Sequence, residues 1–148
     1  MTENHENEFK RILVGVDDSA DALAALQYAI HRAKGDGSEL IIASVLEDGE
    51  MNVYQALTKD YVHGERDELE SHIEKYVELA EEAGVEKVRA VIGEGNPGEV
   101  LVKTITPKYK PDLLIIGAKA TKGIAKLMGS QAAYMAKHSR ISVMIVRE

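Results

Sequence analysis

Asp112-Leu113-Leu114-Ile115-Ile116-Gly117-Ala118-Lys119-Ala120-Thr121-Lys122-Gly123-Ile124-Ala125-Lys126-Leu127-Met128-Gly129-Ser130 is the stretch on which the reading of this chain turns. A short apolar run, Leu113 to Ile116, stops at Gly117. A lysine-bearing loop of small residues comes next and closes on Gly129-Ser130, just ahead of a helical pattern. No acidic residue occurs from Gly117 to Arg140, whereas Lys119, Lys122, Lys126, Lys137 and Arg140 all fall there. The segment is locally positive inside a chain of net charge -7. A strand, a glycine loop, a helix N-terminus and local positive charge together are what a bound polyphosphate requires. Function is expected here.

Working outward, the same alternation of strand and helix signals covers the rest of the chain. Arg11 to Asp17 contains Ile-Leu-Val-Gly-Val and ends on Asp-Asp-Ser, a buried strand running into a helix start. Ser19 is placed to cap that helix. Its apolar positions Ala22, Leu23, Leu26, Ile30 and Ala33 recur at helical spacing, and Gly35 and Gly37 are expected to end it. Leu40 to Val45 is a second strand. Residues 47–64 read as irregular or partly helical, and Glu65 to Ala83 as a helix. Lys87 to Ile92 is a third strand. Asn96-Pro97-Gly98-Glu99 has the cap, the first-turn proline and the acidic residue of a helix opening, and that helix is expected to run to about Pro107. Ser130 to Ser139 is the last helix and Ile141 to Val146 the last strand. The pattern predicts one α/β domain over residues 9–148, a doubly wound, mostly parallel sheet with helices on both faces. Residues 1–8 are expected to form a disordered tail.

Composition narrows the function. A chain of 148 residues suits one domain with a real core. Its negative balance argues against duplex nucleic acid and anionic membrane as partners. The absence of cysteine removes disulfides, thiolate metal sites and cysteine nucleophiles. No apolar run approaches about 18 residues and the first residues are polar, so neither a membrane span nor a secretory signal is expected, and a cytoplasmic location is. His5, His31, His63, His72 and His138 are scattered without ligand spacing, which reads as surface histidine and not as a metal site. A phospho-acceptor receiver domain would need a carboxylate after strand three and a lysine after strand five. Gly93 and Arg147-Glu148 stand there instead.

In open parallel sheets ligands bind beyond the carboxyl ends of the strands, where strand order reverses. If strands one and four are neighbours there, Asp17, Val45 and Gly117 meet in one crevice. Asp17 could accept from a ribose hydroxyl or a base, and Val45 could offer backbone groups to a base. The loop from Gly117 to Ser130 would present amide N–H groups to phosphates, with Ser130 near any Mg²⁺. The plainer role of Asp17-Asp18-Ser19 is to cap a helix, and capping preferences favour it about equally.

Taken as a whole, the chain resembles the universal stress protein family. The matching residues are Arg11-Ile12-Leu13-Val14-Gly15-Val16-Asp17-Asp18-Ser19, Gly95-Asn96-Pro97, Asp112-Leu113-Leu114-Ile115-Ile116-Gly117, Gly129-Ser130 and Ile141-Ser142-Val143-Met144-Ile145-Val146. The resemblance spans residues 9–147. It implies the adenine nucleotide α-hydrolase-like fold, a five-stranded parallel sheet ordered 3-2-1-4-5, and homodimers formed through the last strand, Ile141 to Val146. In one branch it also implies ATP bound without rapid turnover. That branch carries Gly-x-x-Gly, nine residues, then Gly-Ser/Thr. Gly117 matches the first glycine and Gly129-Ser130 the closing pair. Ala120 stands at the second glycine, eight residues separate it from Gly129, and Gln131-Ala132 replaces the small or hydroxyl-bearing residues usual after that pair.

One residue lost from an extended loop shortens its reach by roughly 3.3 Å, and one lost from a helical turn rotates the residues beyond it by about 100°. The loop must therefore be rebuilt if it still holds phosphates. Gly123 could restore the freedom that Ala120 removes. Two functional classes remain. One is a switch that binds ATP or a related adenine nucleotide with Mg²⁺ through Asp17, Val45, Gly117, Ala120, Gly123, Gly129 and Ser130. The other is a nucleotide-free stress-response interaction protein that keeps the loop for structure. Rapid hydrolysis is not expected, because no residue is a convincing general base near the γ-phosphate.

Overall fold

The computed structural model describes residues 8–17, 19–47, 59–118 and 129–148, with backbone alone over 59–65. Expectations that fall on residues 1–7, on Asp18, or on Lys119, Ala120, Lys122, Gly123 and Lys126 lie outside the described residues. Five strands, β1 (Arg11–Gly15), β2 (Glu39–Leu46), β3 (Val88–Glu94), β4 (Leu113–Gly117) and β5 (Ser142–Val146), form one sheet in the order β3-β2-β1-β4-β5. Every pairing is parallel, with Val14 opposite Ile42 on one side and Ile115 on the other. The order reverses between β1 and β4, as the family resemblance implies.

Parallel strands require crossovers, and the crossovers cover both faces. Alternate residues of the central strands point to opposite sides. Ile12, Val14, Ile42 and Ile115 pack with Ala25, Leu26, Ala29 and Ala33 of α1 (Ala20–Asp36) and with Ile73 and Ala80 of α2 (Lys59–Ala83). Leu13, Ile41, Leu114 and Ile116 pack instead with Leu101 and Ile105 of α3 (residues 97–109) and with Ala132 and Met135 of α4 (Ser130–His138). The central β1 and β4 runs are apolar because neither face of those strands meets water.

Helix boundaries differ from the sequence expectation in three places. Gly35 lies inside α1 and does not end it; Gly37 alone terminates the helix, with φ 69° and its N–H on the Ala33 carbonyl. The second helix begins at Lys59, ahead of the expected start at Glu65. The third helix passes through Pro107. It comprises an α-turn Pro97–Glu99, a wider π-segment Val100–Ile105 and a final α-turn Thr106–Tyr109. In the π-segment the Thr106 N–H reaches back to the Leu101 carbonyl, which also accepts the Thr106 hydroxyl at 2.8 Å. That wide turn just before Pro107 makes room for a residue lacking an N–H, so the helix ends only at Lys110, in the left-handed region.

Asp112, just ahead of β4, works at the opposite end of the sheet from the glycine loop. Its carboxylate accepts the backbone N–H groups of Lys10 and Arg11 at 2.8 and 2.9 Å, fastening the entry of β4 to that of β1.

Candidate functional site

A cavity of about 320 Å³ opens at the carboxyl ends of β1, β2 and β4, where the strand order reverses. That is within the roughly 300–1,000 Å³ range of small-molecule sites. Asp17, Val45, Gly117, Gly129 and Ser130, five of the seven residues singled out from sequence, line it. Ala120 and Gly123, the other two, lie outside the described residues. The floor is built from small residues at the strand ends, Gly15 and Ala43, which face one another in register across β1 and β2.

Local hydrogen bonds hold each wall. The Val16 N–H donates to the Ala43 carbonyl at 2.8 Å and the buried Ser44 hydroxyl donates to the Val16 carbonyl at 2.9 Å, so β1 stays tied to β2 past its last ladder residue. Asp17 Oδ1 accepts the Ser19 N–H at 2.8 Å, and Ser19 Oγ accepts the Ala22 N–H at 3.2 Å. The turn therefore uses one oxygen of an exposed Asp17 carboxylate for itself, and Ser19 is the helix cap. On the far wall, the Ala118 N–H donates to the Val146 carbonyl at 2.9 Å and the Ala118 carbonyl accepts the Gly129 N–H at 3.2 Å. Through its N–H and carbonyl, Ala118 closes the loop at its base and joins it to β5.

The three helix N-termini around the cavity are not equivalent. At α1 the Ala22 N–H is capped by Ser19. At α3 the Glu99 N–H is capped by the Asn96 side chain at 3.3 Å, and the Gly98 N–H by Gln131 Oε1 at 2.8 Å. At α4 the N-cap is Gly129, which has no side chain to offer, and the first helical bond is from Ala133 to Gly129. The amides of Ser130, Gln131 and Ala132 precede that bond, with no side-chain cap among the described residues. Among the described residues no side chain takes up these donors, and the positive pole of the helix dipole lies at the cavity.

Gly117 has a second role that the sequence does not reveal. A Cβ there would lie 2.7 Å from the Ala22 nitrogen and 2.7 Å from the Asp21 carbonyl carbon. Its bareness lets the first turn of α1 rest on the end of β4. Sequence reasoning also passed over Gly15, Ala43, Leu101 and Met135 and noted Gln131 only as an unusual neighbour of Ser130, although all five border the cavity. Small residues at the ends of two central strands were the available signal for Gly15 and Ala43. Gln131 had none, since its partner Gly98 belongs to another helix far back in the chain.

Known structures place this geometry. Universal stress protein UspA from Lactobacillus plantarum superposes with a TM-score of 0.85 at 20% identity, over 96% of this chain and 100% of that one. A universal stress protein solved in complex with cAMP matches at TM-score 0.71 and 23% identity, over 95% and 98% of the two chains. A universal stress protein family protein from Arabidopsis thaliana with AMP bound matches at TM-score 0.64 and 18% identity, over 94% and 92%. At these identities the likeness establishes the fold, the adenine nucleotide α-hydrolase-like architecture. The universal stress protein family model matches residues 8–147, nearly the whole chain, and this protein therefore belongs to the universal stress protein family.

Proposed function

We propose that this protein is a stress-response switch that binds ATP or a related adenine nucleotide and does not turn it over rapidly. The observation that carries the reading is the cavity at the strand-order reversal, bordered on one side by Asp17 and Val45 and on the other by the uncapped N-terminus of α4. Asp17 and Val45 suit the ribose and base. The amides of Ser130, Gln131 and Ala132 suit phosphate oxygens, which supply the acceptors and the negative charge that the start of a helix lacks. The nucleotides cAMP and AMP in two proteins of this architecture share the adenosine moiety and support the same class of ligand here. Mg²⁺ would be held chiefly by the phosphates, near the exposed Ser130 hydroxyl. Among the described residues no three His, Asp or Glu side chains are grouped to hold a metal alone.

Slow turnover is expected from the lining. Its described carboxylates, Asp17 and Glu47, follow β1 and β2 and do not belong to α4, where the phosphates are proposed to sit. In a switch, a phosphate bound at the start of α4 would bear on the base of the loop, and the Ala118 peptide would pass that change to β5. The β5 edge is proposed as the dimer interface and the cytoplasm as the compartment. No described helix is long and apolar enough to cross a membrane.

The packing of Gly117 against α1 favours a second reading, a nucleotide-free interaction protein, because that glycine is needed whether or not a ligand binds. Protein purified without added nucleotide, denatured and assayed by absorbance and mass, separates the two readings. Released adenine nucleotide, or saturable binding of ATP with Mg²⁺ on titration, is expected. An empty protein that binds none at millimolar ATP would leave the nucleotide-free reading standing.

A further inference from the structure

Gln131 stands where the cavity wall passes from α4 to α3, and its side chain is seated by the backbone of another helix. The Gly98 N–H lies 2.8 Å from Gln131 Oε1. An amide N–H can only donate, so the atom facing it must be the carboxamide oxygen, and the nitrogen with its two N–H donors is left for another acceptor. None is supplied among the described residues. The seat is shaped for this side chain. A Cβ on Gly98 would fall 2.6 Å from Gln131 Oε1 and 3.0 Å from Tyr134 Cδ1, and Gly98 does not have the positive φ that would call for glycine on backbone grounds. Glycine at 98 thus keeps the place that Gln131 fills.

We propose that Gln131 is a specificity-determining residue of this cavity, anchored through its oxygen to Gly98 and presenting its amide N–H groups to a phosphate of the bound nucleotide. The inference rests on the adenine-nucleotide reading and adds to it the residue that distinguishes a phosphorylated ligand from the bare nucleoside. Gln131 comes directly after Gly129-Ser130, so a phosphate at the start of α4 is within its reach. A neutral amide donor adds a directed bond there without the flexible point charge of a lysine.

The test is titration calorimetry of the full chain with adenosine, AMP and ATP with Mg²⁺, on wild type, Gln131→Ala and Gln131→Glu. A glutamate still accepts the Gly98 N–H, so the link between α3 and α4 survives, while its donors are replaced by a negative charge. Melting of Gln131→Glu should match wild type. Gln131→Ala should weaken AMP and ATP about tenfold or more, the range of a hydrogen bond to a charged group, and Gln131→Glu should weaken them further. Adenosine should stay within about twofold for both, since neither change removes a base or ribose contact. Equal losses for adenosine and ATP, or wild-type ATP affinity in Gln131→Glu, would overturn this role while leaving the nucleotide reading intact. Wild type that binds none of the three ligands would overturn both.

Discussion

Gly117 at the end of β4 lies against Ala22 in the first turn of α1, so close that a Cβ would sit 2.7 Å from the Ala22 nitrogen. The obstructing atoms are backbone, which cannot swing away as a side-chain tip can. Gly117→Ala must therefore push α1 off the sheet, and a loss of about 1–3 kcal/mol is expected, as for an overpacked core. Urea unfolding measures it. A wild-type midpoint would mean that the contact relaxes freely, and Gly117 would then be explained by ligand approach alone.

Gly129→Val separates binding from packing at the other end of the loop. The Gly129 amide closes the loop on the Ala118 carbonyl, and Gly129 borders the cavity. A branched side chain there blocks the approach of a phosphate to the α4 amides. Fluorescent-ATP titration should show binding abolished at every ionic strength, and unchanged affinity would move the phosphates elsewhere.

Two glycines close together at the end of one helix should respond with opposite signs. Gly35 lies in the body of α1, has no positive φ, and has open space where a Cβ would go. Gly35→Ala should stabilise by about 0.5–1 kcal/mol. Gly37 caps the same helix at φ 69°, so Gly37→Ala should destabilise by about 1 kcal/mol. Thermal melts of the two variants check the pair, and a common sign would refute the boundary at Gly37.

Asp17→Ala should weaken adenine-nucleotide binding while costing about 1 kcal/mol of stability. The stability cost has a definite source, the Ser19 N–H that Asp17 Oδ1 accepts, and Ser19 still caps Ala22 without it. Calorimetric titration and a melt on the same sample test both halves. Unchanged affinity would confine Asp17 to its turn.

The two edges of the sheet are protected unequally. β3 carries Arg89 and Glu94, and Arg89 pairs with Glu39 at 3.4 Å. β5 reads Ser-Val-Met-Ile-Val, with no charge and four partly buried apolar residues. An uncharged apolar edge invites pairing, and a second copy related by a twofold axis would supply it. Light scattering should show a dimer at micromolar concentration that Val143→Asp converts to monomer. A wild-type monomer that the substitution leaves unchanged would remove β5 as an interface.

Strand and helix types were legible because their signals are local. The apolar runs of β1 and β4, the Ser19 and Asn96 caps and the Gly37 stop lie within a few residues of the elements they specify. The order 3-2-1-4-5 came from the family pattern across the whole chain, and the structure bears it out. The passage of α3 through Pro107 was not legible. A proline in a helical pattern reads as a stop unless the preceding turn widens, and that widening depends on the Thr106 contacts with Leu101. The cavity followed from strand order and from five residues at strand and helix ends, and the sequence by itself determined that much. Tertiary structure alone decided that Gly117 serves α1 and that Gln131 is held by Gly98. Each of these depends on helices and strands far apart in sequence, and only crossovers packed on a shared sheet bring their backbones within hydrogen-bonding distance.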